Sequence, residues 1–212
     1  MDGGDGMDNT GMDVSFWILV GAVCAFFYNR YDQARRVLML RAQLHPYQLE
    51  QLMQTLLEGY LRAQSEPDEE RRRSIWQVME GHEALLVSQL QRLASDTASL
   101  TGPMGRVSRL PMALPGVTAW WPKACFELSQ ALRIHADGIT HVAHNPEGLN
   151  PRDKAFCMTA ELLLFQHTCH WYCRSRTTAS TRLVAQHQTS HAQALAAASP
   201  ATREGLMAIG AV

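Results

Sequence analysis

The sequence predicts an all-α protein, in which a single N-terminal transmembrane helix is followed by a helical bundle-like domain. Three observations support this prediction. Apolar residues recur at intervals of three and four along most of the 212 residues, as on the buried face of a helix. Capping residues, early prolines and acidic side chains separate these segments, as expected at helix starts. Alternating apolar and polar stretches of useful length are missing, so we expect no major sheet.

The first predicted element is a membrane anchor over residues 14–28, VSFWILVGAVCAFFY, which contain no charged side chain. As a helix this run covers about 22 Å, whereas a bilayer core of about 30 Å normally needs about 20 residues. Flanking residues and bilayer thinning can supply the difference. Aromatic residues occur at both ends, as at membrane interfaces, and we assign them to the anchor: Phe16, Trp17, Phe26, Phe27 and Tyr28.

Three other interpretations of the run stay open. It is short enough to be a buried core helix. It also fits a helix that lies on the membrane surface, or a signal sequence that is removed. A secretory signal fits less well, because the residues ahead of the run are acidic rather than basic and no A-x-A-like site is present.

Charge on the two sides of the run predicts its orientation. Four aspartates and no basic residue precede it, and basic residues follow it closely. By the positive-inside rule the N-terminus lies outside and the C-terminal domain in the cytoplasm. The 17 arginines against 2 lysines hint at a GC-rich genome, so we expect a bacterial inner membrane. The arginines expected to contact lipid headgroups are Arg30, Arg35, Arg36 and Arg41.

The chain divides into three parts. Residues 1–12 are predicted to be a disordered acidic tail. Residues 13–44 form the anchor helix, capped by Asp13, with an amphipathic extension. Residues 45–212 form a cytoplasmic all-helical domain. Five residues of the extension are predicted to lie on one face of the amphipathic helix: Tyr31, Ala34, Val37, Leu38 and Arg41.

Start signals predict the remaining helices. Pro46 and Pro67 are suited to the first turns of two of them, and Asn150-Pro151 and Ser199-Pro200 are suited to start two others. A further helix resumes at Lys123. The helix that begins at Pro151 runs at least to Arg174, with a break expected among the threonines of residues 177–181.

Residues 98–122, here called the strap, cannot be one helix because they contain four prolines and three glycines. The strap is nevertheless too apolar for a solvated linker. It is predicted to lie against the helical core as an extended or packed irregular connector, or to dock a partner. The candidate docking residues are Met112, Leu114, Trp120 and Trp121.

Four residues with suitable chemistry for zinc occur together: His167, Cys169, His170 and Cys173. One helix seldom closes a tetrahedral site, so Cys125, Cys157 or the His141/His144 pair would have to complete it. The alternative is that these residues pack in the core. The His187/His191 pair lies among polar residues, which indicates an exposed helix face.

We find no signature of catalysis. The chain has no G-x-S-x-G sequence and no phosphate-binding loop. Glu80, His82 and Glu83 lack the spacing of di-iron sites, and Glu161 is expected on the wet face of its helix. The sequence therefore predicts a protein that is not an enzyme and has no cofactor, with zinc as the alternative.

Composition and motifs together predict a membrane-anchored interaction or scaffold protein. A net charge of −1 argues against a nucleic-acid partner. The expected partners are the membrane and other protein subunits, and a homo-oligomer is possible. The chain would then be an accessory subunit of a larger membrane-associated assembly, such as a secretion or conjugation apparatus. A metal- or redox-binding protein that uses residues 167–173 is the alternative.

Overall fold

The predicted all-α class is confirmed by the computed structural model, which describes residues 9–212, with side chains from Val14 onward. The helices in this part of the chain are Asn9–Leu44 (α1), Leu49–Ser65 (α2), Glu69–Asp96 (α3), Val117–Trp120 (α4), Leu128–His144 (α5), Pro151–Cys173 (α6), Arg176–His187 (α7), His191–Ala197 (α8) and Pro200–Ala208 (α9). Two strands, Arg106–Ser108 (β1) and Cys125–Glu127 (β2), pair antiparallel.

Helix α6 lies at the centre of the domain. Every residue from Ala160 to Phe165 is buried, so all sides of the helix are covered. A helix that is apolar all round is stable only where neighbours surround it. Helices α1, α2, α5, α7 and α8 pack around α6, and α3 covers α2 and α5.

Local capping chemistry explains where several helices begin. The side chain of Asn150 accepts a hydrogen bond from the backbone N–H of Asp153, and Pro151 is the first residue of α6. At the start of α9, the side chain of Ser199 likewise accepts a hydrogen bond from the backbone N–H of Thr202, and Pro200 is the first residue of the helix. The predictions at these two sites are confirmed, because a cap needs only side chains within one turn.

The helix predicted to resume at Lys123 begins instead at Leu128. Residues 125–127 pair with β1, which places Phe126 opposite Val107, and both side chains are buried. Strands of three residues are too short to show an alternating pattern. The break expected at residues 177–181 lies earlier, at Arg174, and Ser175 caps α7.

Helix α1 begins at Asn9, before the expected cap at Asp13. Residues 9–12 are thus helical, which corrects the prediction for the end of the acidic tail. The rest of that tail, residues 1–8, lies outside the described residues.

The apolar face of the extension is not the face that packs against the domain. Arg36 and Leu40 are the residues of α1 buried against the domain, whereas the residues that share the apolar face are all exposed: Tyr31, Ala34, Val37, Leu38 and Arg41.

Candidate membrane anchor and its junction with the domain

Helix α1 is long and apolar enough to span a membrane. An 18-residue window within Val14–Leu44 has a mean hydropathy of 1.3, and none of it is buried in the protein. The five aromatic residues assigned to the anchor are all at least half exposed: Phe16, Trp17, Phe26, Phe27 and Tyr28. These side chains point to different sides of α1, so the rest of the protein does not cover any one face of this part of the helix. Contiguous apolar surface of this size marks a contact with lipid or with another protein.

The C-terminal half of the same helix is bound to the domain. Asn29 Nδ2 donates to the carbonyl oxygen of Ala113 over 3.4 Å. One turn further, Gln33 Oε1 accepts from Arg174 Nη1 at 2.8 Å. The helix continues without interruption between its exposed and its docked half. No flexible linker therefore separates the apolar half from the domain.

Arg36 lies inside this junction, which corrects its assignment as a lipid headgroup contact. It is 6% exposed, and its Nε lies 2.7 Å from Asp32 Oδ2. Its Nη1 and Nη2 donate to the carbonyl oxygen of Arg106 and to Thr118 Oγ1, at 2.8 and 2.9 Å. A guanidinium has five donors in a fixed plane, which suits several acceptors at once. Arg30, Arg35 and Arg41 remain exposed on α1.

The strap packs on the core through its backbone. Tyr172 Oη donates to the carbonyl oxygen of Met104 at 2.8 Å, and Trp171 Nε1 donates to that of Ser108 at 2.7 Å. The carbonyl oxygen of Pro111 accepts from the backbone and the hydroxyl of Thr177. The four candidate docking residues of the strap are all exposed: Met112, Leu114, Trp120 and Trp121.

The candidate zinc ligands are packed within the domain. His167 is buried, and its Nε2 lies 3.0 Å from Ser180 Oγ. Burial raises the pKa of Cys169 to about 12 and that of Cys173 to about 11, so both thiols are protonated at neutral pH. Among the described residues, no group of three or more histidines, cysteines and acidic residues is arranged to hold a metal ion. The five cysteines are unpaired.

Histidines from three helices meet inside the domain. The rings of His167 and His191 lie 4.3 Å apart between centroids, so His191 does not lie on an exposed face as predicted. His135 is fully buried, and its Nε2 lies 2.8 Å from Thr168 Oγ1. Burial, and then the neighbouring His191, lower the pKa of both His135 and His167 to about 3.

These histidines should make the domain sensitive to acid. An unfolded histidine titrates near pH 6.5, so below that pH the unfolded chain binds protons that the folded chain does not. Stability is therefore complete above about pH 6.5 and falls as the pH decreases toward about 3, by about 2 kcal/mol per buried histidine at about pH 5. The thermal unfolding midpoint of the full chain in mild detergent, measured across this range by circular dichroism, checks the prediction.

Two variants separate the buried histidines from the remaining titratable groups. His135→Gln should reduce the dependence of the unfolding midpoint on pH, whereas His45→Gln, at an exposed position, should leave it unchanged. Equal pH profiles for the two variants would contradict the assignment.

Glu161 is buried, not on the wet face of its helix as expected. Its two oxygens accept from the backbone N–H of Ser199 at 3.0 Å and from Thr202 Oγ1 at 2.9 Å. Burial raises its pKa, although these hydrogen bonds act in the opposite direction. The apolar residues on both sides of Glu161 in the sequence are the signal that indicated burial. The carboxylate joins α6 to the start of α9.

A second polar site lies in a cleft between α3 and the start of α6. The cleft has a volume of about 550 Å³ and is lined in part by Glu80, Glu83, His144 and Lys154. Glu83 Oε2 lies 2.6 Å from Lys154 Nζ, and Glu83 Oε1 accepts from Tyr60 Oη at 2.6 Å. Sequence reasoning found Glu83 but missed its partners, which come from other helices. The pairing neutralises the buried charge of the site.

The comparisons add no relative. No family model matches the chain, and neither a curated protein nor a solved structure matches it.

Proposed function

We propose that the protein is a single-pass membrane protein whose helical domain is held at the membrane surface by α1. The observation that carries the proposal is the exposed apolar half of α1, which continues without a linker into a half bound to the domain. A core helix would be covered by the protein, and this segment is not. Insertion into lipid removes the apolar side chains of this segment from water, which stabilises the inserted state by about 25 cal/mol for each Å² of apolar surface buried.

The proposed orientation places the domain in the cytoplasm, with the N-terminus outside, in a bacterial inner membrane. Arg30, Arg35 and Arg41 support it, since all three are exposed on the domain side of the apolar run. Four aspartates lie on the other side. Basic residues are retained preferentially on the cytoplasmic side of a span.

We further propose an interaction role, as an accessory subunit of a larger membrane-associated assembly, with a secretion or conjugation apparatus as one such context. The outward face of α1 beyond the apolar run supports a protein partner there. Tyr31 and Leu38 are each 63% exposed on this face, and Val37 lies beside them. A second helix, from another subunit or from a second copy, can pack against apolar residues with this spacing.

Paired arginine substitutions test the anchor. The double variant Ile18→Arg with Ala22→Arg places two charges in the middle of the apolar run. Each charge raises the free energy of membrane insertion by about 2.5–3.5 kcal/mol. We expect this variant to leave the membrane fraction on alkaline carbonate extraction, while the unaltered protein stays and requires detergent. Mass spectrometry of the membrane-bound protein should show that residues 14–28 are still present. If they were a signal sequence that is removed, the mature protein would lack them.

The matched control also introduces two arginines four residues apart, but after the apolar run, in Leu38→Arg with Ala42→Arg. Both residues are exposed on α1 and lie outside the apolar run. This variant should remain in the membrane and lose protein partners that co-purify with the unaltered chain. Extraction of the unaltered protein by carbonate would refute the anchor, and unchanged co-purification by the control would refute the proposed partner face.

A further inference from the structure

The strap meets α1 at the point where its charge-free run ends. Asn29 follows that run directly and donates to the carbonyl oxygen of Ala113. The residues on either side of Ala113, Met112 and Leu114, are 66% and 50% exposed. These two apolar side chains therefore lie at the height along α1 at which the proposed span leaves the hydrocarbon.

The rigid junction keeps this face close to the bilayer. Asn29 and Arg36 both bind the strap, and they are about 10 Å apart along the helix axis. The headgroup layer on each side of a bilayer is about 5–7 Å thick. A domain that is joined to the helix within the first turn after the span cannot stand away from the membrane. With α1 in the proposed span, the surface around Ala113 lies at the level of the headgroups.

The chemistry of the exposed side chains of the strap fits a membrane interface. Trp120 is 82% exposed and Trp121 is 57% exposed, and both follow Met112 and Leu114 within the strap. Tryptophan is enriched where apolar chains meet headgroups, because its ring is apolar and its N–H is polar. We call these four residues the strap patch.

The charges beside the strap patch are basic. Arg30 and Arg174 are exposed next to the junction, and Lys123 is exposed directly after the strap. The nearby Asp32 is paired with Arg36 at 2.7 Å, so its charge is compensated. A basic surface of this kind is attracted to anionic phospholipids, by about 1 kcal/mol per residue near the membrane.

We infer that the strap patch is a second membrane contact, which inserts into the headgroup layer of the bilayer that α1 spans and so fixes the orientation of the domain on the membrane. The inference rests on the proposed anchor and replaces docking of a protein on this patch by binding of anionic phospholipid.

Tryptophan quenching in vesicles tests the inference. The full chain is reconstituted into vesicles of phosphatidylcholine and phosphatidylglycerol, with lipids brominated at the headgroup end of their acyl chains as quenchers. Trp17→Phe removes the fluorophore of the anchor, and we expect the fluorescence of this variant still to be quenched. Adding Trp120→Phe and Trp121→Phe should reduce the quenching several-fold. Adding Trp76→Phe instead, on α3, should preserve it.

The outcomes separate this inference from the anchor itself. If the unaltered protein is quenched through Trp17 but the Trp17→Phe variant is not, the anchor stands and the second contact is refuted. The second contact is also refuted if replacing Trp120 and Trp121 leaves quenching by the brominated lipids unchanged, which is the result expected for a protein-docking surface. If neither protein is quenched and carbonate extracts the chain, the anchor fails, and the inference fails with it.

Discussion

Replacing Glu83 by alanine is expected to destabilise the domain by about 3–5 kcal/mol, because it leaves a largely buried ammonium group, that of Lys154, without its partner. The side chains of Glu83 and Lys154 are 5% and 13% exposed, and their charged atoms lie 2.6 Å apart. The same change removes the acceptor of Tyr60 Oη, which is buried as well. A loss of this size lowers the thermal unfolding midpoint by about 10 °C in a domain of this length, as measured by circular dichroism in mild detergent.

Two further variants show whether the buried pair is the cause. Glu80→Ala changes an exposed residue on the same helix and should shift the stability by no more than about 0.5 kcal/mol. Glu83→Leu combined with Lys154→Met replaces both charges by apolar groups and should recover most of the loss, since it leaves no isolated charge behind. An unfolding midpoint for Glu83→Ala equal to that of Glu80→Ala would show that the pair is not needed.

The parts of the fold that were predicted correctly depend on neighbours in the sequence. The cap at Asn150 and the proline after it act within one turn, so they can be read directly from the chain. The apolar run of α1 is similarly local, since its hydropathy does not depend on what packs around it. The helical class follows from such signals alone.

The errors come from contacts between distant residues. In the sequence, apolar residues such as Val37 and Leu38 share one face of the extension of α1, but the face that packs on the domain contains Asn29 and Arg36. Apart from Asp32, which pairs with Arg36 within one turn, the partners named here for these two polar residues lie 70 or more positions away, so the local sequence does not show that both side chains are satisfied against the domain. Leu40, one turn after Arg36, is the one local sign of the correct face.

The candidate sites show the same division. Residues 167–173 have the composition of a metal site, yet their helix directs them into packed surroundings, with His167 against His191 of another helix. Glu161 and Glu83 are both buried carboxylates, and only the first lies in an apolar stretch of sequence. Burial of Glu83 depends on Lys154 and Tyr60, whose approach is decided by the packing of helices.

Replacing Arg36 by alanine is expected to release the strap from α1. The change leaves the partly buried carbonyl oxygen of Arg106 and the buried hydroxyl of Thr118 without this donor, and hydrogen bonds to a charged group contribute about 1.5–3 kcal/mol each. We therefore expect a loss of about 3–5 kcal/mol in stability and faster tryptic cleavage within the strap, observed by mass spectrometry of the full chain in detergent.

Arg36→Lys keeps the charge but not the planar donors, so it should restore only a minor part of the stability. Arg35→Ala is the matched control, because Arg35 is exposed and its Cζ lies 5.8 Å from the centroid of the Tyr31 ring on the same helix. If Arg36 contacted headgroups, as its place in the sequence indicated, both alanine variants would give the same cleavage pattern and the same unfolding midpoint. A difference confined to Arg36→Ala would show that the domain is joined to α1 through this buried guanidinium.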